Sequence, residues 1–254
     1  MLVIASSMSL SVGFGFFFNN AAAAMICRSP SNSPYQTVEK PVHTVTSRDA
    51  YRARWVTIIG APFLTYIGAM LHPTRVLWHG SPWLFIGVHL VWPFLVAGLA
   101  LMLVQLVSDI DEAPARITRL LVIPMVIAFT LYTTYSGVAI GAIVWEGNRF
   151  PIARREPISD LIDYLTTNTL ATTLRITAEL LWAACAITAA IALRRRVPRP
   201  ALGLFVIGAL EFGYHHERPY GAAGMAALLA SVVWITLRER STRGAHPVDT
   251  GTVA

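Results

Sequence analysis

Long apolar runs separated by short polar ones organise this chain. Trp55–Leu71, Trp83–Val107, Leu120–Trp145, Ile176–Leu193, Ala201–Tyr214 and Gly221–Leu237 are the apolar runs. Several match the ~20 apolar residues that cross a bilayer as one helix. The pattern predicts an all-α, polytopic membrane bundle of six transmembrane helices over residues 55–237. Pro62 and Trp92-Pro93 mark expected bends within the first two spans. Residues 28–54, rich in Ser, Pro, Thr and charge, read as a flexible tail, and residues 238–254 as a second one.

Upstream, Met1–Cys27 is apolar, with Phe14 and Phe16–Phe18 at its centre and Ala21–Ala24 near its end. It has the small-residue tail of a signal peptide but not the positive start. Three readings of it stand: a poor signal, a seventh span, or sequence lying upstream of a start at Met25. In the Glu146–Arg175 loop, Leu161, Ile162 and Leu165 oppose Asp160, Asp163 and Thr166, the pattern of a short interfacial helix.

Composition strengthens the membrane reading. Hydrophobic residues make up 55% of the 254, charged ones only 13%, and the mean hydropathy is +0.55. Soluble domains carry about 25% charged residues. The net charge of +6 does not point to nucleic acid, because the basic residues sit at span ends rather than in a patch. Cys27 and Cys185 are the only cysteines. With Cys185 in mid-helix, neither a disulfide framework nor a cysteine metal site is expected.

Charge also gives the helices a direction. Arg194, Arg195, Arg196 and Arg199 follow the fourth span and anchor the topology by the positive-inside rule. Alternation then puts residues 28–54, 108–119, 194–199 and 238–243 in the cytoplasm, and these hold fourteen of the twenty Lys and Arg. The expected location is a cell membrane, plasma or inner, with both ends of the six-span body cytoplasmic.

That topology gathers the chemistry-bearing residues on the other side. His89, Glu179, Glu211 and His215 fall in one depth range, with His216 adjacent and Tyr132 and Tyr135 somewhat deeper. Ionisable groups inside a bilayer are expensive and face a bundle interior, a partner or water. His89, His215 and Glu211 therefore form a candidate metal set, and facing histidines a candidate haem site. Each also has an ordinary reading. Glu211 pairs with His215 or Arg218, and Glu179 pairs with Arg175 at i,i+4. His72 and His79 lie in a loop, where interfacial hydrogen bonding suffices. The Tyr132–Ser136 cluster suits helix–helix hydrogen bonding, and Gly137 with Gly141 offers a close helix approach. No phosphate-binding glycine loop, hydrolase elbow or His-Glu-x-x-His element occurs.

Three functions follow as expectations. One is a metal or haem site in the extracytoplasmic half, for redox or membrane-embedded catalysis. Another is a small proton-linked solute transporter using Glu211. The last is a non-enzymatic assembly or envelope protein. The bilayer is the expected partner throughout, with a homo-oligomer or another membrane protein as further candidates.

Overall fold

A computed structural model describes residues 47–73, 81–215 and 219–244. Every regular element among them is helical. Seven helices follow in order: α1 (Ser47–Leu71), α2 (Pro82–Leu106), α3 (Ala113–Gly147), α4 (Glu156–Thr167), α5 (Thr169–Leu193), α6 (Arg199–Tyr214) and α7 (Tyr220–Gly244). The apolar segment 1–27, His79 and His216 lie outside the described residues.

Helices α1, α2, α3, α5 and α7 are long and apolar enough to cross a membrane. The sixth expected span, α6, is helical but has 16 residues. That rises about 24 Å, short of a hydrocarbon core of about 30 Å. Helical structure also reaches into both segments that composition read as tails. Helix α1 starts at Ser47 and α7 continues to Gly244, because a helix need not stop where its apolar stretch does. Likewise α5 begins at Thr169 rather than Ile176, where the Asn168 side chain accepts a hydrogen bond from the Ala171 amide.

The six long helices close into a ring. Helix α1 packs on α2, α2 on α3, α3 on α5, α5 on α6, α6 on α7, and α7 again on α1. Trp92, Trp182, Phe205, Phe212, Met102, Met125 and Met225 fill its interior. Polar side chains bridge neighbours inside it. Trp182 Nε1 donates to the Ala209 carbonyl (2.6 Å), Ser231 Oγ to the Ala201 carbonyl (2.7 Å), and Thr118 Oγ1 to Thr188 Oγ1 (2.8 Å). Outward, Val56, Leu64, Leu90, Phe94, Leu120, Ile127 and Ile207 are exposed along the helices. A continuous apolar exterior around an aromatic core is what a bilayer solvates and water does not. This is a helical membrane bundle.

Small residues set the closest crossings. A Cβ on Gly208 would fall 2.6 Å from both the Gly224 carbonyl oxygen and the Leu228 nitrogen, so α6 and α7 touch backbone to backbone. Gly68 of α1 is covered by Leu95 and Trp92 of α2, and Gly141 of α3 by Ile86 and Phe85. The amphipathic α4 lays Ile162 against Ile140 and Val144 of α3.

One end of the ring is tied together by charge. Arg54 Nη1 meets Asp109 Oδ2 at 2.8 Å, and Arg196 Nη2 donates to the Asp109 carbonyl at 3.1 Å. Arg194 and Arg195 approach Glu112 at 3.8 and 3.6 Å. Arg119 donates to the carbonyls of Val107 and Ile110 in the turn that follows α2. The segments that the arginine count assigned to one side thus meet on one face.

Candidate functional site

Phe85, His89 and Trp92 repeat at i, i+4 and i+7 and make one stripe of α2. The ring of His72, one residue past the end of α1, sits on that stripe. Its centroid lies 6.0 Å from Phe85, 4.9 Å from His89 and 5.8 Å from Trp92. Both histidines are enclosed, with 1% of His72 and 5% of His89 exposed. Helix α1 therefore ends about two turns short of the start of α2, and His72 reaches sideways into the packing rather than out into the loop.

The hydrogen bonds orient both rings. Nδ1 of His89 is 2.8 Å from the Phe85 carbonyl oxygen, and Nδ1 of His72 is 3.1 Å from that of Pro73. A carbonyl oxygen only accepts, so each Nδ1 carries a hydrogen and donates it. In the neutral ring this makes Nε2 the acceptor nitrogen. The two Nε2 atoms face one another at 3.4 Å. Two neutral rings in this arrangement oppose acceptor to acceptor. One added proton turns the contact into an N–H···N hydrogen bond, and a bound cation would satisfy both lone pairs.

The third wall comes from α3, which passes from α to π geometry over Thr134–Ala139. Such bulges accompany functional sites. Gly137 lies in this stretch, and a Cβ there would collide with Cγ and Cδ2 of His89. Serine and threonine side chains bond back to the helix beside it: Ser136 Oγ donates to the Tyr132 carbonyl (2.7 Å), and Thr133 Oγ1 to that of Phe129 (2.8 Å).

The other candidate residues gather elsewhere. Glu211 Oε1 meets His215 Nδ1 at 3.2 Å, with 39% and 45% of the two side chains exposed. Glu179 pairs with Arg175 at 3.9 Å and lies within electrostatic reach of His215. Tyr135 accepts a hydrogen bond from Asn168 Nδ2 (2.9 Å) at the α4–α5 junction, and Tyr132 packs against the core. Stacking of Trp92 on Phe212, centroids 6.0 Å apart, connects the two regions.

His89, Glu211 and His215 are thus not brought together as one ligand set. Among the described residues, no three His, Cys, Asp or Glu side chains group to hold a metal. His72 is the residue that the apolar pattern alone passed over. Its one signal was a histidine ending one span, two turns short in depth of a histidine inside the next. No known protein family, curated protein or solved structure matches the chain.

Proposed function

We propose that the protein is a proton-linked carrier of a small solute in the cell membrane, and that the His72–His89 pair holds the coupling proton. The observation that carries this reading is the pair of buried Nε2 lone pairs facing at 3.4 Å. A contact that opposes acceptor to acceptor without a proton and forms an N–H···N hydrogen bond with one is a two-state element. Its occupancy changes the bond between the end of α1 and the middle of the α2 stripe, so protonation biases how those helices sit. The π turn at Gly137 supplies a third helix that is locally irregular and can follow the His89 ring. Glu211, to which the sequence alone assigned this role, suits it less. Its carboxylate is half-exposed and already meets His215.

The arginine distribution supports an arrangement with the Arg194–Arg196 face in the cytoplasm and the histidine pair toward the opposite side. The same converging lone pairs favour a second reading, in which His72 and His89 bind a copper or iron cation, metals that imidazole suits, for redox work. Protein reconstituted in liposomes under an imposed pH gradient separates the two. Proton uptake that depends on an added amino acid, sugar or organic anion, lost in His72→Gln and His89→Gln, supports the carrier. Nitrogen NMR of histidine-labelled protein should then show one proton shared per pair. A metal bound at about one per chain and lost in the same variants would replace proton coupling with the second reading. Liposomes that respond identically with both variants would sink both.

A further inference from the structure

We infer that the arginine-bearing face holds a binding site for the phosphate headgroup of an acidic glycerophospholipid. A cavity of about 350 Å³ opens near the start of α1, the ends of α2 and α5 and the C-terminal part of α7, and Arg54, Arg196, Arg238 and Glu239 supply its polar lining. Leu106, Leu193 and Ile235 form an apolar wall beside them. These residues belong to the transition from apolar span to charged flank, the depth at which a bilayer places its phosphates. Basic pockets between helices at that depth recognise anionic headgroups.

The cavity is basic in its lining: three guanidinium groups and one carboxylate, Glu239, face it, with Asp109 bound to Arg54. Arg54 is held rather than free to wave. Its Nη1 is bound to Asp109 at 2.8 Å and its guanidinium lies 5.6 Å from the centre of the Trp55 ring. Its Nε is buried with no acceptor among the described residues. A buried donor of this kind calls for an acceptor, which a phosphate oxygen can supply. Arg196 is similarly fixed through Nη2 on the Asp109 carbonyl. Planar guanidinium groups in fixed positions suit the oxygens of a phosphate better than flexible ammonium groups do. The apolar wall selects a lipid over a free phosphate, because an inorganic ion gains nothing from Leu106, Leu193 and Ile235. This inference does not rest on the carrier reading.

Thermal unfolding of the full chain in mild detergent tests it. Added phosphatidylglycerol should raise Tm by about 4 °C, while phosphatidylcholine should not. The increment should vanish in the double variant Arg196→Gln/Arg238→Gln. In case that variant does not fold, Val197→Trp fills the cavity from its loop and leaves every charge in place; it should also lose the increment. Equal effects of the two lipids, or a full increment in Val197→Trp, would overturn the site. An equal increment from millimolar inorganic phosphate would overturn the lipid assignment in favour of a soluble anion.

Discussion

Nε2 of His72 faces Nε2 of His89 at 3.4 Å, and each ring is anchored through Nδ1 on a carbonyl oxygen of its own segment. The pair therefore works as a unit, since neither ring can turn away without giving up its backbone bond. Single replacements His72→Gln and His89→Gln should each abolish the proton-coupled signal, and the double replacement should cost no more than either alone. Additive losses would show two independent histidines and remove the shared-proton idea.

The approach of α3 to this pair depends on one missing methyl group. Gly137→Ala places a Cβ into the His89 ring, and overpacking of a tight interior costs about 1–3 kcal/mol. The variant should melt earlier, and His89→Ala should rescue part of the loss in a double-mutant cycle. Equal losses with and without the His89 ring would mean that the π turn itself is what the methyl disturbs.

Backbone contact leaves the α6–α7 crossing less able to yield. Gly208→Ala directs its methyl at the Gly224 carbonyl and the Leu228 nitrogen, 2.6 Å from each. The helices must separate, and a loss of about 2 kcal/mol or more is expected in reversible unfolding. Gly203 has nothing within 4 Å of an added Cβ. Gly203→Ala should be neutral or mildly stabilising, because alanine is the better helix former, and it serves as the control on the same helix.

Asp109 makes the charged face sensitive to acid. Burial alone would raise its pKa. The hydrogen bond and charge of Arg54, the Ser108 hydroxyl and the charge of Arg196 outweigh burial and hold the carboxyl below its ordinary value. A carboxylate with a depressed folded-state pKa stabilises the fold fully above the free value, ~3.9. The contribution fades as pH falls through the folded value. With 57% of the side chain exposed, the effect should be about 0.5–1 kcal/mol. Asp109→Asn should therefore lower stability by that amount at pH 7 and by progressively less as the pH falls below the free carboxylate value. A difference that does not diminish at all between pH 7 and the acid limb of the unfolding profile would show that the pairing is not ionic.

Sidedness has its own test. A cysteine placed at Arg116 and another at Arg154 should react with a membrane-impermeant maleimide from opposite faces of sealed vesicles, in a background where Cys27 and Cys185 are serine. Labelling of both from one face would overturn the alternation on which the cytoplasmic assignment of the arginines rests.

Much of the fold was legible because a bilayer imposes a one-dimensional rule. Backbone groups in hydrocarbon must be satisfied within the segment, so apolar length alone announces a helix. Five runs met that rule, the burial of Trp92 and Trp182 followed from their depth, and Arg175–Glu179 and Glu211–His215 followed from helical spacing. The start of α5 was not legible from hydropathy, since Thr169–Arg175 is polar. Its marker was the capping Asn168.

What the sequence determined by itself is therefore the class of molecule, the helices and the face that gathers the arginines, all properties carried by each segment alone. The tertiary structure decided which histidines meet. Depth counted along each helix grouped His89 with Glu211 and His215, but depth says nothing about where a helix stands in the ring or how far its neighbour extends. Helix α1 ends about two turns short of α2, and Gly137 lets α3 close on the ring of His89. Those two facts put His72, a loop residue by its pattern, against His89, and they depend on packing between segments far apart in the chain.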